Sequence, residues 1–291
     1  MQVIHLPEEF RAACNELRKY GKGVGLVPTM GALHVGHASL LSAACAGGNV
    51  PCVTIFVNPT QFGPNEDYSK YPRTLESDLE LCRAYGTEVV FAPSADAMYF
   101  PNDSTRVRVS NLTECLCGKS RPGHFDGVTT IVSKLFALAG PCCAYFGRKD
   151  YQQLQVICRM ATDLMLPVDV VGCPIVREPD GLALSSRNRY LNADERSRAL
   201  GLIRGLKSAD DAYRKGERDG RTLVQLVELA LERCQLRKDY VEIRGANQLE
   251  SLSTLPQEPG RGVLAVAAFC GATRLIDNVV LGADSLPNVV T

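Results

Sequence analysis

The chain is 291 residues long, with 45% apolar and 22% charged residues and 32 basic side chains against 32 acidic ones. That is ample apolar material for one large domain or two ordinary ones, and the balanced charge argues against a general nucleic-acid binder, which carries a basic excess or stripe. No stretch reaches the roughly 18 apolar residues of a membrane span, and the first ten residues carry Glu8 and Glu9 where a signal peptide would be basic and then apolar, so a soluble cytoplasmic protein is expected.

In chain order, short apolar strands alternate with longer helical patterns. Strands are expected at Val24 to Pro28, Cys52 to Val57, Glu88 to Ala92, Cys142 to Phe146 and Val168 to Val171. Helices are expected at His37 to Ala46, Thr74 to Tyr85, Gly127 to Ala139 and Tyr151 to Leu164. Such alternation predicts an α/β fold built on a parallel, doubly wound sheet over residues 1–175. From about Val176 the pattern changes to long polar-faced helices, Ala193 to Lys215 and Thr222 to Arg237, followed by strands at Tyr240 to Arg244, Val263 to Phe269 and Arg274 to Val279. Residues 176–291 are therefore read as a smaller α+β domain. The twelve cysteines are scattered through apolar segments and read as small buried reduced thiols. Cys115, Cys117 and His124 form the one grouping that could take zinc.

Four segments carry chemistry. Pro28 to His37 runs from the first predicted strand into the first helix, where an open α/β sheet binds ligands. A helix start offers unsatisfied N–H groups and a positive dipole end to an anion. Two of the chain's four histidines, His34 and His37, lie in this turn with Gly31 and Gly36. The simpler reading is a chance pair or a metal site. Asn58 and Gln61 leave the second strand as neutral donors suited to hydroxyl and carboxylate groups, although Asn58-Pro59 also reads as an ordinary turn. Gly147-Arg148-Lys149-Asp150 opens the helix after the Cys142 strand. Lys149 there suits phosphate, with Gln153 one helical turn on, and the alternative is a solvated charged helix start. Leu184-Ser185-Ser186-Arg187 suits a phosphate clamp or an ordinary capping loop.

These four segments, in this order and spacing, resemble the pantoate–β-alanine ligase family. Tyr71-Pro72-Arg73-Thr74, Arg121-Pro122-Gly123-His124-Phe125 and Thr273-Arg274-Leu275-Ile276-Asp277-Asn278 add to the likeness, which spans almost the whole chain. The resemblance implies a Rossmann-like N-terminal domain with a smaller C-terminal lid, usually as a homodimer. It implies an ATP-dependent ligation in which the pantoate carboxylate displaces pyrophosphate from ATP, and the amine of β-alanine then displaces AMP.

Carried over by motif, Met30, Gly31, Ala32, Leu33, His34, Val35, Gly36 and His37 line the ATP phosphates. His37, His34 and Lys149 take the catalytic roles. Gly147, Arg148, Lys149 and Asp150 contact ATP, and Val176, Leu184, Ser185, Ser186 and Arg187 complete the nucleotide site. Gln61, Gln153 and Asn58 hold pantoate, and Gln61 also lies beside β-alanine. Mg²⁺ is expected with ATP, and Asp78 is its candidate protein ligand. Three positions depart from the family. Arg148 stands where Glu is usual, Ser77 precedes Asp78 where an acidic pair is frequent, and Val35 is apolar where a polar residue is common. An adenylyltransferase acting on a phosphate is the nearest rival, but it needs no paired glutamines. A nucleotide-binding regulator without activity is a second alternative, against which Lys149, Arg187 and both histidines argue. A tRNA synthetase is disfavoured by the short chain and its lack of a basic surface by composition.

Overall fold

The computed structural model describes residues 1–64, 66 and 68–287. They fall into two units, Met1–Arg148 with Gln153–Pro174, and Lys149–Gln152 with the chain from Ile175 onward. The first unit runs β1 (Gln2–Ile4), α1 (Pro7–Lys19), β2 (Gly23–Thr29), α2 (Val35–Ala46), β3 (Asn49–Ile55), α3 (Leu75–Ala84), β4 (Val89–Phe91), α4 (Ala95–Met98), α5 (Leu116–Ser120), α6 (His124–Ala139), β5 (Cys142–Gly147), α7 (Tyr151–Asp163) and β6 (Val168–Cys173). The first two residues of α7 group with the second unit.

The six strands form one sheet in the order β1-β4-β3-β2-β5-β6. Every neighbouring pair is parallel. Side chains alternate faces along a strand, and the core shows both faces covered. Val27, Val53 and Val90 meet Leu40, Leu41 and Ala44 of α2. Phe91, next after Val90, faces the opposite way and stacks on Phe10 of α1 at 4.7 Å between ring centroids. Burial of Phe10, Cys14 and Leu17, spaced four and three apart, fixes α1 on that second face. Each large apolar side chain so buried stabilises the fold by about 1.5–3 kcal/mol. The expected doubly wound sheet is thus present, in the Rossmann-like manner. β1 and α1 are elements that the strand–helix alternation does not include.

Sheet order grows outward from β2 in both directions, toward β3 on one side and β5 on the other. β2 pairs with β5 at Gly25↔Cys143 and Leu26↔Ala144, so the point where the order reverses is at the ends of these two strands. The Pro28–His37 segment leaves the carboxyl end of β2, and β5 ends at Gly147.

The second unit contains α8 (Ala193–Ala199), α9 (Gly201–Arg214), α10 (Gly220–Arg233), β7 (Arg237–Gly245), β8 (Gly262–Cys270) and β9 (Thr273–Val280). The strands form an antiparallel sheet in the order β7-β8-β9. Leu202 and Leu206 of α9 and Leu223, Val227 and Leu231 of α10 pack on Leu264, Val266 and Val279. The single helix expected over Ala193 to Lys215 is two helices that meet at Leu200. All twelve cysteines are free thiols. Burial raises Cys82 to about 11 and Cys142 to about 12, which suits inert core thiols. No described helix is long and apolar enough to cross a membrane.

Candidate active site

The turn after β2 is built around a buried carboxylate. Gly31 and Ala32 both have positive φ, 82° and 51°. The left-handed region costs a residue with a Cβ roughly 1–2 kcal/mol, so Ala32 needs a compensating contact. Asp78 of α3, 2% exposed, supplies it. Its Oδ2 accepts the Ala32 N–H at 3.0 Å and its Oδ1 the Leu33 N–H at 2.8 Å. The Thr74 hydroxyl donates to the same Oδ1 at 3.2 Å. A hydrogen bond to a charged group is worth about 1.5–3 kcal/mol, enough to offset the strain. Thr29 Oγ1 accepts the Gly31 N–H at 3.2 Å and pins the near side of the turn.

His34 is then the N-cap of α2. Its Nδ1 accepts the Gly36 N–H at 3.1 Å, and the His34 N–H donates to His37 Nδ1 at 3.3 Å. The two rings lie 4.1 Å apart between centroids. The acceptor role of both Nδ1 atoms determines the tautomer. Each neutral ring carries its proton on Nε2. The reciprocal cap therefore gives two Nε2–H donors at the positive end of a twelve-residue helix, an arrangement that suits an anion. Val35 is 61% exposed, so its apolar side chain occupies no room among these donors.

Asn58 and Gln61 belong to a short 3-10 turn after β3, Pro59–Gln61, capped by Asn58. Asn58 is 1% exposed and its hydrogen-bonding capacity is spent inside the protein. Nδ2 donates to Gln61 Oε1 at 3.0 Å and to the Gly127 carbonyl at 3.1 Å. Oδ1 accepts from the hydroxyls of Tyr99 at 2.8 Å and Thr60 at 3.0 Å. The bond to Oε1 fixes the amide of Gln61, whose Nε2 lies 3.2 Å from Met30 Sδ. Gln61 thus presents an NH₂ group next to the turn that begins at Met30, and Asn58 acts by orienting it. The close seat of α6 on this turn requires Gly127, where a Cβ would come within 2.4 Å of the Thr60 carbonyl oxygen.

At the end of β5 the expected one-turn stack of Lys149 and Gln153 is interrupted. Arg148–Asp150 is a 3-10 turn and α7 starts at Tyr151. Lys149 groups with the second unit, whereas the half-buried Gln153 groups with the first. The Arg148 stem lies along the edge strand β6, where a Cβ on Gly172 would meet its Cγ at 3.4 Å and Cδ at 3.6 Å. Gly147, the last residue of β5, has open space where a Cβ would stand.

In the second unit, the Lys149 carbonyl accepts from Asn278 Nδ2 at 2.9 Å. Asp277, next along β9, holds Arg177 in a bidentate pair at 2.7 and 2.9 Å. Arg177 lies in a hairpin closed by its bridge to Ala183 and by the Leu184 N–H donating to the Val176 carbonyl at 3.0 Å. Ser185 then caps the 3-10 turn Ser186–Tyr190, its Oγ accepting the Arg187 N–H. Lys149, Val176 and Leu184 to Arg187 are therefore joined through Asp277 and Asn278. Sequence reasoning finds those two residues only as part of a family-like motif. Their place between Leu275-Ile276 and Val279-Val280 is the signal, since a buried Asp-Asn pair needs partners.

Among the described residues no three His, Cys, Asp or Glu side chains converge as a metal site. Both oxygens of Asp78 accept backbone N–H groups. These residues do not form a protein cage for Mg²⁺, and an ion carried by substrate phosphates needs none. His124 likewise engages the Gln61 carbonyl and Arg121.

Comparison with known proteins accords with this geometry. The family model described as pantoate-beta-alanine ligase matches residues 2–280. A pantothenate synthetase of Acetivibrio thermocellus is 48% identical over 97% of this chain and 99% of its own length. One of Myxococcus xanthus is 51% identical over 92% of each. The crystal structure of pantothenate synthetase from Thermus thermophilus superposes with a TM-score of 0.90 at 43% identity, covering 97% of this chain and 99% of that one. The Francisella tularensis pantoate-beta-alanine ligase, complexed with beta-gamma ATP and beta-alanine, gives 0.77 at 31% identity, covering 98% and 99%. The chain belongs to the pantoate–β-alanine ligase family.

Proposed function

We propose that this enzyme condenses pantoate with β-alanine, using ATP and passing through pantoyl adenylate. The observation that carries the reading is the pair of Nε2–H donors held by reciprocal capping at the start of α2, next to the fixed NH₂ of Gln61. An anion-binding turn beside an oriented amide suits a nucleotide phosphate and a small hydroxy acid.

In the first step a pantoate carboxylate oxygen attacks the α-phosphorus and the bond to pyrophosphate breaks. In the second the amine of β-alanine attacks the activated carbonyl carbon and AMP leaves with the carboxylate oxygen. The nucleophiles come from the substrates, so the protein's work is alignment and charge stabilisation. His34 and His37 donate to phosphate oxygens within the Met30 to His37 turn. Gln61 and Gln153 hold pantoate, with Asn58 acting through Gln61. Gly147 to Asp150 contact ATP, with Lys149 on its phosphates. Val176 and Leu184 to Arg187 complete the nucleotide contacts. Mg²⁺ enters as the ATP salt, with Asp78 bracing the turn. A cytoplasmic homodimer is part of the same reading, by family likeness.

The test is ATP–pyrophosphate exchange with and without pantoate, followed by AMP release on adding β-alanine. Exchange should require pantoate; exchange indifferent to it contradicts the reading. Lys149→Ala should lower turnover by on the order of 100-fold, the effect of losing one transition-state donor. A loss below tenfold removes Lys149 from the mechanism.

A further inference from the structure

Glu66, Arg121 and His124 form a chain of contacts that ends on the main chain of Gln61. The Gln61 carbonyl lies 2.7 Å from His124 Nδ1. A carbonyl oxygen only accepts, so Nδ1 carries the proton. On the other side of the ring, Arg121 Nη1 lies 3.0 Å from Nε2. A guanidinium only donates, so Nε2 accepts. His124 is therefore neutral with its proton on Nδ1, the opposite tautomer to His34 and His37. Arg121 is held in turn by a bidentate pair with Glu66, at 2.6 and 2.5 Å, and its Nη2 reaches the same Gln61 carbonyl at 3.4 Å.

Gln61 is thus gripped at both ends, its side chain by Asn58 and its carbonyl by His124 and Arg121. The short turn that carries it has almost no helical ladder of its own to set the main chain. We infer that His124 is a positioning residue for the pantoate subsite. It donates to the Gln61 carbonyl, holds the Pro59–Gln61 turn in place, and so aims the Gln61 amide at its ligand. The inference rests on the reading of Gln61 as a pantoate contact. It assigns His124 no contact with substrate.

Three variants test this, because Asn and Gln place an amide at different ends of the lost ring. His124→Asn puts an N–H where Nδ1 stood and keeps the donor to Gln61. His124→Gln puts it where Nε2 stood, and His124→Ala removes it. The apparent KM for pantoate should rise about tenfold in His124→Ala and His124→Gln, the factor carried by one hydrogen bond of ordinary worth. It should stay within about threefold of the parent in His124→Asn, and the KM for ATP should be nearly constant throughout. An unchanged pantoate KM in His124→Ala, equal changes for pantoate and ATP, or no rescue by Asn would each overturn the inference. If His124→Ala does not fold, the Asn and Gln variants decide. Calorimetric titration of pantoate separates the two claims. A parent that binds pantoate but shows no pantoate-dependent exchange defeats the functional reading alone, and the variants' Kd values then decide the role of His124. A parent that neither exchanges nor binds pantoate defeats both.

Discussion

Asp78 illustrates how one buried carboxylate can set a site it need not touch. The Gly31–Ala32 turn is strained and is held by two charge-assisted bonds to Asp78. Asp78→Asn replaces one acceptor with a donor aimed at a backbone N–H, so kcat/KM should fall by at least about tenfold, the equivalent of one bond to a charged group. Raising Mg²⁺ should not restore it, whereas recovery at high Mg²⁺ would mark Asp78 as a metal ligand. Glu66 gives a pH signature. Burial pushes its carboxyl up, but the bidentate Arg121 guanidinium and the Gly63 backbone N–H together hold it below the usual range. A depressed carboxylate contributes stability above its unfolded value, about 4.3, and loses that contribution as pH falls through the folded value. The pantoate KM should therefore stay flat from neutrality down to that value and rise only below it, and Glu66→Gln should abolish that acid limb. A limb of equal size in both proteins contradicts the assignment. At this scale the histidine turn was legible, because two of the chain's four histidines share one strand-to-helix turn. The brace on it was not, because Asp78 lies 46 residues from Ala32 and its helix reads as an ordinary amphipathic one. Asn58 was legible as a polar residue at a strand end but not as an orienting group, since that depends on Tyr99 and Gly127.

At the scale of elements, the contact of α6 with the Pro59–Gln61 turn sets where Gln61 stands. Gly127→Ala separates local from tertiary effects with opposite signs. Helix propensity alone favours Ala by about 0.5–1 kcal/mol. The new Cβ would lie 2.4 Å from the Thr60 carbonyl oxygen and 2.7 Å from Gln61 Cα, a backbone clash that must move the turn. Melting temperature should fall by several degrees and pantoate KM should rise, with ATP KM less affected. A stabilised variant with unchanged pantoate KM would show that this contact is loose. Most strands and helices of the first unit were readable from strand–helix alternation, because fully buried parallel strands read as apolar runs. α1 escapes that pattern although Phe10, Cys14 and Leu17 carry its buried face. Its first turn carries the charged Glu8 and Glu9, which mask the apolar period that follows. Lys149 and Gln153 are expected on one helical face, but the 3-10 turn over Arg148–Asp150 breaks that period, and no residue in the segment announces it.

At the scale of the whole molecule, strand–helix alternation predicts a parallel sheet but leaves its order open. The order β1-β4-β3-β2-β5-β6 comes from long-range pairing, and it is what makes β2 and β5 neighbours. Pairing β2 with β5 joins strands more than a hundred residues apart, which no local pattern encodes. Within the second unit, β9 ties Lys149 to the Val176–Leu184 hairpin through Asn278, Asp277 and Arg177. This explains in physical terms why a polar Asp-Asn pair stands between the apolar pairs Leu275-Ile276 and Val279-Val280 of β9. In the proposed ligation the pantoate carboxylate attacks phosphorus and the amine then attacks carbon. Pantoate labelled with ¹⁸O in both carboxylate oxygens follows those atoms directly by mass spectrometry of the products. One ¹⁸O should appear in AMP and the other should remain in the amide carbonyl of the product. AMP free of label, with the heavy oxygen elsewhere, would contradict an acyl adenylate and with it the mechanism proposed for this site.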